Sequence, residues 1–255
     1  MMKSIILSIL LALTSTFTSW GEDFFSRGIL KGTDYYGYLG YEVGGTMPAS
    51  MPATIRKVTA FRPRPNLLVG FEVEKSLGSN AGLMLGLQFE NKGMSVDAKV
   101  KNYHTAVERG GESLEGQFTG YVNTTVTQWM FTVPLMATYA VNKVHLKAGP
   151  FLSYLTSTDF HGWAYNGYLR VGDPTGPKVE MGESESERGD YDFSDRMRRW
   201  QTGVGVGADW HISHHIGAFV NLTWSFSGIF KSGFHVVEQT LHPLYGQVGV
   251  TYRLR

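Results

Sequence analysis

Between Tyr35 and Leu254 the chain alternates apolar and polar residues with a period of two, in eight separate stretches of about ten residues, a rhythm that fits half-buried strands and not helices. In Leu67–Leu77, Leu67, Val69, Phe71 and Val73 oppose Leu68, Gly70, Glu72 and Glu74. In Ala81–Glu90, Leu83, Leu85, Leu87 and Phe89 oppose Met84, Gly86, Gln88 and Glu90. The pattern returns over Thr127–Leu135, Val144–Ser153, Trp200–Ile212, Ile216–Ser225 and Leu244–Leu254, and less regularly over Tyr35–Gly44. Beyond the N-terminal segment no run holds the 18 or more apolar residues of a spanning helix.

The connections alternate in length. Gly78-Ser79-Asn80, Asn142-Lys143 and Ser213-His214-His215 are short enough for hairpin turns. Between them lie Gly45–Asn66, Asn91–Thr124, Ser157–Arg199 and Gly228–Leu241, all read as long loops. Short turns on one rim and long loops on the other predict an all-β fold, an eight-stranded antiparallel up-and-down transmembrane β-barrel with periplasmic turns and extracellular loops. One face of each strand is apolar with Trp and Tyr near its ends, and the other carries Gly, Gln, Glu, Lys and Asp. Periodicity alone leaves a soluble sandwich open. A lipocalin-like carrier would need its apolar face turned inward.

The first 21 residues agree with a membrane destination. Lys3, the apolar run Ser4–Leu13 and the small residues Ser19 and Gly21 have the layout of a secretory signal peptide. The expected organisation is a signal peptide at 1–21, a short lead at 22–34 and a barrel domain at 35–255. Cleavage removes Lys3 and leaves 22 acidic and 22 basic side chains. That balance argues against nucleic acid as a partner. The absence of Cys excludes disulfides, thiolate metal sites and a cysteine nucleophile. With 31 glycines and 13% aromatic residues, the composition suits a barrel better than a disordered chain.

Four stretches carry a family resemblance: GFEVEKSLGSNAGLMLGLQFENKG, TQWMFTVPLMATYAVNKVHLKAGPFLSYL, DFSDRMRRWQTGVGVGADW and the terminal YGQVGVTYRLR. Over Tyr35–Arg255 the chain resembles the porin-like (PorT-like) outer-membrane β-barrel domain of Gram-negative bacteria. In that family a Pro lies inside the fourth strand and an Ala-Gly-Pro inside the fifth, matched here by Pro134 and Ala148-Gly149-Pro150. Pro is unusual in paired strands, so the two together are informative. The resemblance implies an outer-membrane location, lipid and the insertion machinery as partners, and a terminal aromatic read during insertion. This chain ends on Arg255, and Tyr252 is the aromatic nearest that role.

Two groups of residues are candidates for function. Counting from the tight turns places Glu74, Lys147, Asp209 and Arg253 in the periplasmic third of the lumen, with Lys147 predicted to meet Asp209 and Arg253 to come within reach of Glu74. Such charges are expected to pair, since an unpaired charge in a narrow interior is costly. The second group lies in the loop Ser157–Arg199, where Trp163, Tyr165 and Tyr168 accompany Arg196, Arg198 and Arg199. Aromatics with Arg suit a recognition surface. The three arginines are expected either to contact lipopolysaccharide phosphates or to pair with loop acids such as Asp173, Glu183, Glu185 and Glu187.

Enzyme chemistry finds little support. His211, His214 and His215 surround a turn without further ligands in the sequence, so a solvated rim is expected rather than a metal site. The acidic loop is likewise read as solvated rather than as a cation site. Gly203, Gly205 and Gly207 alternate as an inward strand face does, and no Gly-x-Ser-x-Gly, phosphate loop or HExxH is present. His104, His161 and His235 keep a barrel enzyme as the remotest reading. The sequence therefore predicts no catalytic residue, metal or cofactor. It predicts a small barrel with a structural or binding role through its long loops toward an unidentified extracellular ligand or protein. Its lumen is expected to be filled by side chains, and a small-solute pore is the alternative.

Overall fold

The computed structural model describes residues 33–48, 50–234, 236–237 and 239–254. The predicted signal peptide, residues 22–32 of the predicted lead, and His235 lie outside the described residues. Among the described residues eleven strands follow in order: β1 (Thr33–Pro48), β2 (Ile55–Pro63), β3 (Asn66–Ser76), β4 (Ala81–Arg109), β5 (Glu112–Val141), β6 (Val144–Val171), β7 (Lys178–Met181), β8 (Gly189–Asp192), β9 (Trp200–His211), β10 (Ile216–Ser225) and β11 (Leu241–Arg253). Eight of them close a ring, β1–β3–β4–β5–β6–β9–β10–β11 and back to β1, with every neighbour antiparallel. β2, β7 and β8 are short additions at one end.

The three tight turns fall on one rim. Between β5 and β6, Val141 pairs with Val144, and Asn142 takes φ 55°, a conformation its short polar side chain tolerates. Across the belt the outward faces are apolar and exposed, as Leu39, Val69, Leu85, Val133, Val220 and Val250 illustrate. Trp129, Trp200, Trp210 and Trp224 all point out, and Trp210 is 54% exposed. At the long-loop end the rings group as Phe89–Trp129 (5.3 Å), Tyr154–Trp200 (4.9 Å) and Trp224–Phe226 (5.0 Å), an interfacial girdle. Tyr139, Trp210 and Tyr252 occupy the opposite end. The two prolines interrupt ladders that cannot use their missing N–H. Pairs are absent beside Pro134 on both sides of β5. Gly149 lets the strands close there, since a Cβ on it would run into the Leu135 carbonyl oxygen.

Three of the four long-loop expectations need correction, and the first is Gly45–Asn66, which holds the end of β1 and all of β2. Asn91–Thr124 and the first part of Ser157–Arg199 are strand, not loop. β4, β5 and β6 run 29, 30 and 28 residues, about three times what a tilted transmembrane strand needs. They carry the barrel wall far above the girdle as an extracellular β-extension. β4 turns into β5 at Gly110-Gly111, with φ 59° and 84°, the positive values a two-residue hairpin turn demands.

The extension has its own core. Inward-facing Met94, Ala98, Val100, Phe118, Val122, Val126, Phe160 and Ala164 pack with Tyr191, Phe193, Met197 and Ile229 from the segments that fold over it. The aromatic centre is tight: Phe160 lies 4.9 Å from Phe230 and 6.0 Å from Phe193, and Phe193 lies 5.1 Å from Phe234. The remainder of Ser157–Arg199 is thus docked onto the barrel, by β7, β8 and a 3-10 turn at Ser194–Arg196.

Candidate functional site

The inward faces of the membrane belt carry polar side chains that meet one another across the lumen. Glu90 on β4 is fully buried. Lys92 Nζ lies 3.0 Å from its carboxylate, Gln88 Nε2 donates at 2.9 Å, Thr132 Oγ1 at 2.5 Å and Gln247 Nε2 at 3.2 Å. Gln247 Nε2 also donates to Glu42 at 3.0 Å, which ties β11 to β1 and β4. Tyr38 OH donates to Gln88 at 2.8 Å. The Lys92 ammonium sits 5.7 Å from the ring centroids of both Phe151 and Tyr245, so its charge is held by carboxylate on one side and π-faces on the other.

A second cluster lies toward the short-turn rim. Lys147 Nζ is 2.9 Å from Asp209 and 3.6 Å from Glu72. Glu74 accepts from Thr138 at 2.6 Å and lies 3.3 Å from His145 Nδ1. Arg253 departs from the sequence expectation: its guanidinium bonds Asp34 at 2.5 Å. Asp34 is only two residues from the register partner of Arg253, Tyr36, whereas Glu74 lies one strand further and is already engaged. Between the clusters, the void lined by Glu72, Gln88, Lys92, Lys147 and Phe151 measures about 20 Å³, and a second beside Glu74 and His211 about 10 Å³. That is room for about one water.

The turn histidines separate. His211 packs its ring 4.3 Å from His145, His215 stacks 5.8 Å from Tyr252, and His214 is exposed. In the extension, His104 lies 3.5 Å from Glu115 and His161 2.6 Å from Asp159.

The predicted loop contacts fall on two parts of the extension. Trp163 and Tyr165 are on the outward face of β6, beside Asn123 and Thr125 of β5, Ser95 and Asp97 of β4, and Arg62 and Arg64. Together with Glu183 they line an open cleft of about 500 Å³. Arg62 pairs with Asp97 at 2.7 Å, Arg64 donates to Thr127 at 3.2 Å, and Asn123 donates to Asp97. Arg188 stacks 4.8 Å from the Trp163 ring. Partial burial, then the Asp97 and Glu183 carboxylates, push the Tyr165 phenol up. Tyr168 stands apart, with Lys178 Nζ 4.3 Å from its ring.

Arg198 and Arg199 bond backbone carbonyls and do not form ion pairs with the loop acids among the described residues. Arg198 donates to Phe230 O and Arg199 to Leu155 O and Thr156 O, all at 3.3 Å. Arg188 instead takes Asp190 at 2.7 Å and Glu185 at 4.0 Å. The reason is chain path: after the 3-10 turn the backbone re-enters the wall at β9, where carbonyls of the Thr156 bulge lie open.

Sequence reasoning missed Glu42, Glu90, Lys92 and Gln247. Glu42, Glu90 and Gln247 stood on the polar faces of alternating strands, which was signal enough. Lys92 lay two residues beyond the stretch read as strand.

The family model described as "Outer membrane protein beta-barrel domain" matches residues 31–231. No curated protein matches the sequence. Among solved structures, Ail of Yersinia pestis, in complex with the heparin analogue sucrose octasulfate, is 8% identical, with 87% of this chain and 99% of that chain covered and a TM-score of 0.38. Neisserial surface protein A is also 8% identical, covering 87% and 97%, with a TM-score of 0.38. OprG of Pseudomonas aeruginosa is 14% identical, covering 88% and 97%, with a TM-score of 0.40.

Proposed function

This chain belongs to the outer membrane protein β-barrel domain family, and from that premise we propose that it is a closed outer-membrane barrel whose working part is the extracellular extension. The observation that carries this reading is the contrast in free space. The membrane lumen is crossed by hydrogen-bonded charge, with voids of about 20 and 10 Å³, whereas the extension offers a cleft of about 500 Å³. Barrels of eight strands have an interior just wide enough for side chains to fill.

The cleft suits a polar ligand with a flat face. Trp163 and Tyr165 offer rings, Arg62 and Arg64 offer donors to sugar or phosphate oxygens, and Asp97 with Asn123 offers acceptors. The surface rests on rigid strands, where binding residues are held in place. The function is binding rather than catalysis. Within the family we assign the chain to the PorT-like branch, supported by Pro134 and Pro150. Residues 1–21 act as the export signal, the insertion machinery is a partner during assembly, and Tyr252 is the aromatic presented to it.

Single-channel recording in planar bilayers tests the closed lumen. The expected record shows no stable conductance of general-porin size. Stable steps of that size overturn the reading in favour of a solute pore.

A further inference from the structure

The wall of the extension has a break. The β1–β3 ladder ends at Glu42–Asn66, whereas the β1–β11 ladder continues to Pro48–Leu241. On the other side β2 pairs with β4 from Ile55–Val100 to Pro63–Met94, and among the described residues no ladder joins β2 to β1. A gap in the ladder therefore separates the upper edge of β1 from β2, spanned at its lower end by the Phe61 ring, which lies against Gly45. It begins just above Arg64, whose bond to Thr127 marks the level of the Trp129 girdle.

Irregularities in β2 decide what the slot exposes. Simple alternation would put Ile55, Lys57, Thr59 and Phe61 on one face. Register shifts between Ile55 and Lys57 and between Val58 and Ala60 instead turn Ile55, Val58 and Phe61 to the inward face, opposite Val100, Ala98 and Val96. Bulges of this kind re-aim side chains and persist as built features. Beside the slot lies a cavity of about 250 Å³ lined by Val96, Ala98 and Val100, the register partners of the inward β2 residues, and by Phe160. Phe61 is 47% exposed and Met51, at the mouth, 60%. Apolar side chains that face an interior yet stay this open are unfinished packing, and such patches mark binding sites.

We propose that this cavity binds a small apolar molecule, one or two fused aromatic rings in size, admitted sideways between β1 and β2. The site is separate from the outer-face cleft, which lies on the opposite face of β2 and β4. Size supports the assignment: an apolar cavity of about 150 Å³ stays dry and accepts benzene, so one of about 250 Å³ takes a bicyclic ring. Chemistry supports it too. Water needs two to four polar partners to be held, and Thr46 and Thr124 supply few among the apolar lining. Met47, Met51 and Met94 provide unbranched, polarizable walls that adapt to an occupant.

The test uses the full chain in phospholipid nanodiscs with naphthalene as ligand, followed by its fluorescence. Partition into lipid rises linearly with concentration, so a site shows as a saturable component of one per chain. Ala98→Phe fills the cavity from β4, and Val58→Trp fills it from the edge strand β2. Each should weaken saturable binding at least tenfold. Should Ala98→Phe fail to give folded barrel, Val58→Trp decides alone, because β2 is an edge strand the ring does not require. Naphthalene-2-sulfonate should bind at least tenfold more weakly than naphthalene. Purely linear uptake, unchanged binding in a folded filling variant, or equal binding of the sulfonate overturns the proposal.

Discussion

Strand β4 passes through two solvents and changes its polarity without changing its geometry. From Ala81 to Glu90 the outward residues Leu83, Leu85 and Leu87 are apolar, and the inward ones include Gln88 and Glu90. From Met94 to Val100 the inward residues are Met94, Val96, Ala98 and Val100, and the outward ones Ser95, Asp97 and Lys99. The same side of the strand faces the interior throughout. What differs is the exterior: hydrocarbon below, where apolar groups cost nothing outside and polar groups must find partners inside, and water above, where the hydrophobic effect drives apolar groups inward. Period two reports a strand, and the sense of the alternation reports the solvent. The two regions consequently rest on different interactions. The belt is held by ladders and buried polar contacts, the extension by an apolar core.

Removing charge should separate them most strongly. Lys92→Met leaves the fully buried Glu90 without its cation and is expected to cost about 3–5 kcal/mol. Arg62→Met breaks the more exposed pair with Asp97 and should cost less than about 1 kcal/mol. Urea unfolding in lipid vesicles measures both. Similar costs would mean that the belt does not depend on its internal ions.

Adding charge outside tests the other half. Val220 sits midway along the lipid-facing side of β10, and Val220→Arg is expected to cost about 2–4 kcal/mol. Ser113→Arg, at the exposed far end of β5, should move stability by less than about 0.5 kcal/mol. Full stability in the Val220→Arg variant would place that level of the wall outside the hydrocarbon.

A smaller effect isolates the packing of the extension. The Tyr191 hydroxyl donates to Asn123 O at 2.7 Å and lies 2.7 Å from Thr124 Oγ1. Tyr191→Phe keeps the ring stack on Phe193 (5.4 Å) and should cost about 1 kcal/mol. Hydrogen exchange should register the loss in β5 and β8 above the girdle and leave the belt amides unchanged. Faster exchange in the belt would show that the two regions unfold as one.

The sequence made the belt legible because eight stretches shared one sense of alternation and three turns fixed the phase between them. The outward tryptophans followed from that phase. The extension was hidden by its inverted sense. Met94 to Lys101 alternates as regularly as any membrane strand, but its charged face made it look like loop, and Gly110-Gly111 was a two-residue hairpin signal left unused. Trp163 and Tyr165 were singled out for composition, and only the β5–β6 register sets them beside Asn123 and Asp97. Arg253 was set toward Glu74 by counting along strands, and the count could not see that Asp34, at the very start of β1, lay nearer. Ile55, Val58 and Phe61 share a face only because of local register shifts, which no alternation rule foresees.

The least effect expected is confined to the link between β6 and β7, where Asp173 accepts from both Thr175 N and Thr175 Oγ1 at 2.7 Å. Those two bonds hold its carboxyl below the usual range. A carboxylate whose folded value is depressed adds order that is present above its unfolded value, roughly 4, and is lost as pH falls through the folded one. Acidification below about 4 should therefore loosen the turn 173–176 while the barrel ring, which does not pair with this link, keeps its folded gel mobility. Amide exchange at Thr175, corrected for its intrinsic rate, gives the readout. Protection should fall with pH in the parent chain. In Asp173→Asn, which keeps the acceptor oxygen and loses the titration, it should stay flat. A parallel fall in both would mean that the turn is opened by its surroundings, and that the extension senses acid through its other carboxylates.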